Sequence, residues 1–136
     1  MKNRSALREI IVKILYQIYI YEKGNINYDI DEVIKENTTY ENEFVTDSVK
    51  SIIENQEEID NIANKYLNGW TIDRLSKVDH AIISLAIYEL KYTDVPDIVC
   101  INEAIELSKI YSDEKVTKMI NGMLDSFYHN EVNNEW

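Results

Sequence analysis

The sequence predicts an all-α protein of about seven helices, arranged as two packed small bundles. Three observations carry this. Apolar residues recur at helical spacing along most of the 136-residue chain. Three Gly and one Pro are too few for a fold built from many tight turns and short strands. Residues 77–92 are apolar over most of a helical circumference, the mark of a helix at the centre of a bundle.

The elements follow in order. Leu7, Ile10, Ile11, Ile14, Leu15 and Ile18 form one core stripe on a helix over residues 5–22, which stops before the turn signal Lys23-Gly24-Asn25. Residues 28–37 read as a short helix. A helix over 40–55 carries Phe44, Val45, Val49, Ile52 and Ile53, and another over 57–67 carries Ile59, Ile62, Ala63 and Tyr66. Asn68-Gly69 ends the latter, because glycine tolerates the left-handed conformation that follows a helix C-terminus. Residues 70–75 connect the halves, with Trp70 as an expected core anchor between them. The central helix spans 77–92 and breaks at Thr93-Asp94-Val95-Pro96. A helix over 98–111 follows. The last, over 114–128, is capped by Ser112 or Asp113 and packs Val116, Met119, Ile120, Met123, Leu124 and Phe127 on one stripe. Gly122 in its interior suggests close approach of a neighbouring helix, and the polar tail after His129 is expected to fray. One domain over 1–136 results, with an N-terminal subbundle at about 1–68 and a C-terminal one at about 70–130.

The net charge is −11, which argues against generic nucleic-acid binding. The charge is uneven, however. Residues 1–13 hold Lys2, Arg4, Arg8 and Lys13 against Glu9, whereas residues 26–62 hold eleven acids against Lys35 and Lys50. This is either an ordinary acidic surface or a small basic patch on a body that repels non-specific RNA. Arg4 and Arg8, four apart near a helix N-terminus, stand against the helix dipole, which points to a task other than stability. Tyr16, Tyr19 and Tyr21 follow on the same helix, where they either stack on bases or bury a ring and keep a wet hydroxyl. The residues alone leave both readings open.

Catalytic and metal chemistry finds little support. His80, His129 and Cys100 fall in different predicted helices and give no metal-ligand spacing. Cys100, the single cysteine, reads as a small buried apolar residue, and its isolation fits a reducing compartment. Gly24, Gly69 and Gly122 are isolated, so no phosphate loop exists. No run of about 18 apolar residues occurs, so a soluble, cytoplasmic protein without cofactor or membrane span is expected.

The second half resembles the NusB antitermination family. The residues that carry the resemblance are W-T-I-D-R-L at 70–75, V-D-H-A-I-I-S-L-A-I-Y-E-L at 78–90, Val95-Pro96, V-C-I-N-E-A-I-E-L-S-K at 99–109 and N-G-M-L-D at 121–125. The first helix adds R-S-A-L-R-E at 4–9 and L-Y-Q at 15–17. The resemblance covers nearly the whole chain and is weakest over 24–65. It implies the NusB-like fold of two helical bundles and no enzymatic activity. It also implies binding of single-stranded boxA RNA in ribosomal-RNA operons together with NusE, a small-subunit ribosomal protein. The complex joins RNA polymerase with NusA and NusG and reads through terminators. Some family members form homodimers.

Residue by residue, the resemblance places Arg4 and Arg8, with Lys2 beside them, in an arginine-rich RNA-contacting segment. Tyr16 takes the family's tyrosine on that face. Lys115, Lys118 and Met119 fall where the last helix contacts RNA, and Met119 also fits the core stripe. Asp73 and Asp79 match acidic positions of the RNA and NusE surface, where acids suit a basic partner. Glu89, Asn102, Glu103 and Asn121 read as helix-packing hydrogen bonders. The chain departs from the pattern at Ser5 and Ala6, where many members carry Arg, and at Ser84, Val116 and Met119. Fewer phosphate contacts mean weaker RNA binding and greater reliance on NusE. The alternative is a NusB-like protein-interaction module whose RNA binding is weakened or lost. A third reading, the leading domain of a ribosomal-RNA methyltransferase, requires a Gly-rich cofactor site beyond Trp136.

Overall fold

The structure, a computed structural model, describes residues 3–133. Among these, seven α-helices and no strand occur: α1 Arg4–Lys23, α2 Ile30–Asn37, α3 Glu43–Glu54, α4 Gln56–Tyr66, α5 Lys77–Tyr92, α6 Asp97–Tyr111 and α7 Glu114–Phe127. The all-α expectation holds. The ends are set by local chemistry. The Asn3 side chain accepts from the Ala6 amide at 2.9 Å and starts α1, and Asn25 at φ 55° turns the chain away after it. Asn42 accepts from the Val45 amide at 3.1 Å, so α3 begins at Glu43 and leaves Tyr40 in the preceding loop, outside the helix expected there.

α5 is the axis of the molecule. Every residue from Asp79 to Ile87 is buried, and α1, α4 and α6 pack around it. The Ile11, Ile14, Leu15 and Ile18 stripe of α1 is fully enclosed, with α2 and α3 on its other flank. α4 lies against α5 and α7. Each large aliphatic side chain removed from water contributes about 1.5–3 kcal/mol, and together they form one continuous core across the two halves.

Two expectations fail, each for a tertiary reason. Trp70 is 37% exposed, with the Arg74 guanidinium 5.3 Å from its ring centroid. Leu67, Ile72 and Leu75 fill the core at this connector instead. No neighbour approaches Gly122: a Cβ there would meet nothing within 4 Å. Gly122→Ala is therefore expected to stabilise the fold by about 1 kcal/mol through helix propensity alone, read as a higher urea midpoint with an unchanged slope. Past His129, where fraying is expected, the described residues continue in a π-helical turn over Tyr128–Val132, and residues 134–136 lie outside the described residues. Glu131 in that turn accepts from Lys65 Nζ at 3.0 Å and from the Tyr66 hydroxyl, which ties the turn to α4.

Candidate nucleic-acid interface

α1 carries two expected arginines whose fates diverge. Arg4 is exposed, with its guanidinium carbon over the Phe44 ring of α3, 3.9 Å from the centroid. A guanidinium held on an aromatic face keeps its N–H edge open to an anion. Arg8 is 4% exposed. Its Nε donates to both Glu89 oxygens at 2.9 and 3.0 Å, and its Nη1 donates to Glu103 at 3.0 Å. Ser5 Oγ donates to the same Glu103 oxygen at 2.6 Å. Arg8 is therefore not presented on the open surface expected of an RNA contact: its guanidinium joins α1 to α5 and α6. Glu89 and Glu103 are the packing hydrogen bonders that the sequence suggests, whereas Asn102 and Asn121 are exposed. Lys2 lies outside the described residues.

Tyr16 and Tyr19, three residues apart, also separate. Tyr19 is buried and stacked on His80 at 4.2 Å between centroids. Its hydroxyl donates to Gln56 at 2.6 Å and lies 3.0 Å from Ser84 Oγ. Tyr16 is 43% exposed and lines a groove with Val12, Lys13, Val78 and Tyr111. The groove is where the middle of α1 meets the start of α5 and the end of α6. The Tyr111 hydroxyl donates to Glu9, which fixes one wall. Lys13, exposed and without a carboxylate partner among the described residues, stands beside it. At 100° per residue, Tyr16 lies about 120° around α1 from Arg4. The structure therefore splits the expected basic surface into an Arg4–Phe44 side and a Tyr16–Lys13 side.

At the α6–α7 corner, Asp113 accepts from the Val116 amide at 2.9 Å and caps α7. This presents Lys115 and Lys118 to solvent in its first turns. Lys118 lies 3.5 Å from Glu114, an exposed pair that holds it weakly. Lys115 has no ion-pair partner among the described residues. Met119 is half-buried and packs against the core, in keeping with its place on the apolar stripe.

The two acids expected to face a protein partner differ likewise. Asp73 is exposed, and a hydrogen bond from Thr71 holds its carboxyl below the usual range. It borders a cleft with Glu22, Asp60 and Lys77. Asp79 is 6% exposed and accepts from Ser112. It is therefore not presented on the open surface expected of a docking residue, and it fastens the α6–α7 corner to α5. Cys100 is buried, and burial pushes its thiol up to about 12, which removes it as a nucleophile. Among the described residues no cluster of metal-ligating side chains occurs, and no helix is long and apolar enough to cross a membrane.

Tyr111 is the functional candidate that sequence reasoning missed, while Lys13 was counted only as part of the basic N-terminal patch. Lys13 was legible as a cation three residues before Tyr16 on one helix face, but nothing in the sequence joins Tyr111 to it across 98 positions.

Known proteins of similar sequence share this fold. The NusB family model matches residues 5–129. A transcription antitermination protein NusB from Acetivibrio thermocellus is 44% identical over 125 residues, 90% of this chain and 86% of that protein. One from Listeria monocytogenes is 44% identical over 126 residues, 91% of this chain and 94% of that protein. Among solved structures, T. maritima NusB superposes with a TM-score of 0.83 at 32% identity, covering 96% of this chain and 94% of that one. A structure of the antitermination factors NusB and NusE in complex with double-stranded RNA superposes with a TM-score of 0.77 at 26% identity, covering 92% and 95%.

Proposed function

The chain belongs to the NusB family, and from that premise we propose that it binds boxA-type single-stranded RNA jointly with NusE and promotes read-through by RNA polymerase in ribosomal-RNA operons. The observation that carries this is the end of α6, which Tyr111 ties to Glu9 of α1 and from which α7 begins three residues later. There Tyr16 is wet, and the lysines of the first turns of α7 face solvent a few residues beyond Tyr111. Exposed rings suit unstacked bases, and cations suit phosphates. Arg4, with Lys2 beside it, adds phosphate contacts from the other side of α1. Asp73 and its acidic neighbours face the basic ribosomal partner, where opposite charge speeds encounter and fixes orientation. RNA polymerase, NusA and NusG complete the assembly in the cytoplasm. The family similarity supports the partners, and the solved structure of the antitermination factors NusB and NusE in complex with double-stranded RNA supports the pairing of NusE with RNA.

The mechanism is joint electrostatic capture. A body of net charge −11 repels free polyanions, so its few exposed cations bind RNA weakly alone. NusE supplies the missing positive charge, and the two proteins present one surface of higher effective concentration. Titration of labelled boxA RNA with and without NusE, at two salt concentrations, is expected to show at least tenfold tighter binding with NusE and weakening as salt rises. Equal binding with and without NusE contradicts the joint-capture reading.

A second reading, a protein-interaction module with little RNA binding, is favoured by one observation: Arg8, an arginine of the RNA-contacting segment, is locked in an interhelical ion pair. In that case boxA and scrambled RNA bind the NusE complex equally.

A further inference from the structure

We propose that the groove between Tyr16 and Tyr111 receives one unstacked nucleobase, with Lys13 at its rim pairing with the adjoining phosphate. The inference rests on the RNA-binding reading above and assigns a ligand subsite within it.

The groove offers about 360 Å³, at the lower end of the sizes that hold small ligands. Its base is aliphatic, from Val12 of α1 and Val78 of α5, and its walls include two aromatic rings from different helices. Such a lining recognises the flat face of a ring system, since it presents few groups that could read a base edge. Tyr111 is held by its hydrogen bond to Glu9, so its ring loses little freedom on ligand binding. That bond also occupies the Glu9 carboxylate, one helical turn before Lys13, and Lys13 remains without an ion pair among the described residues. In a chain of net charge −11, an unpaired ammonium beside an apolar notch selects an anion attached to an apolar plate. A nucleotide has that composition. A side chain of a basic protein partner does not, because Lys13 repels it.

The test uses single-stranded boxA RNA with NusE and the full chain. A series of oligonucleotides carries an abasic nucleotide at each position in turn. One position is expected to lose about tenfold in affinity when its base is removed, the effect of one lost stack. In Tyr111→Leu, intact RNA already binds about tenfold more weakly, and the abasic change at that position costs nothing further. Tyr16→Leu, on the exposed wall, is expected to give the same pattern and keeps the test valid if Tyr111→Leu disturbs the corner. Lys13→Gln lowers the slope of log affinity against log salt by about 0.7. If the critical position keeps its full abasic penalty in both leucine variants, the groove is not its site, and the inference falls while RNA binding stands. If the chain with NusE shows no RNA binding, the functional reading falls and takes the groove with it.

Discussion

Replacing Glu89 with alanine is expected to cost about 3–5 kcal/mol of folding stability, because it leaves the Arg8 guanidinium buried without its main counter-charge. For a domain of 136 residues, each kcal/mol lowers the melting midpoint by about 3–5 °C, so the loss reads as roughly 10–20 °C by circular dichroism. Arg8→Met is expected to cost a similar amount, since it strands Glu89 at 1% exposure. Replacing both at once, Arg8→Met with Glu89→Leu, is expected to recover most of the stability. Two apolar side chains of similar volume avoid the desolvation that the ion pair must offset. Glu103 tolerates that change: its side chain is 20% exposed and keeps Ser5 and water as partners. The same variants decide what Arg8 does. If Arg8→Met melts with the wild-type midpoint and loses RNA affinity, the interhelical role is wrong and the arginine contacts RNA after all.

The helices were legible in the sequence because amphipathic periodicity is a local property, and a cap such as Asp113 is written within three residues of the amide it accepts from. The central place of α5 was legible for the same reason, since a helix apolar nearly all round has one stable location. The candidate site was legible only in part. Arg4 and Arg8 look alike in sequence, yet the partner that buries Arg8 lies 81 positions away. Asp73 and Asp79 are equally indistinguishable until Ser112 arrives from the α6–α7 corner to engage one of them. Trp70 misled because size and hydrophobicity predict burial only on average, and here smaller aliphatic neighbours take the space. Each of these outcomes depends on which helix packs against which, and periodicity within one helix holds no record of that.

The second large effect is expected at the α7 lysines. Each cation engaged with a single-stranded phosphate backbone contributes about 0.7 to the slope of log affinity against log salt. Lys115→Gln with Lys118→Gln is therefore expected to reduce the slope by about 1.4 and to weaken RNA binding about 25-fold at 0.1 M salt, with little difference at 1 M. Adding Arg4→Gln is expected to remove a further 0.7 or so, for a total near a hundredfold at 0.1 M. Because Arg4 lies on the far side of α1 from Tyr16, the size of that last step shows whether the RNA passes around the helix or stays at the α6–α7 corner. All three side chains are exposed, so stability is expected to change by no more than about 0.5 kcal/mol per substitution. A drop in RNA binding can then be assigned to lost contacts. A salt slope unchanged in the triple variant means that none of these cations touches phosphate. The contacts left to this chain are then the Tyr16–Tyr111 groove with Lys13 and the Lys2 end of α1, and NusE carries the rest of the hold on RNA.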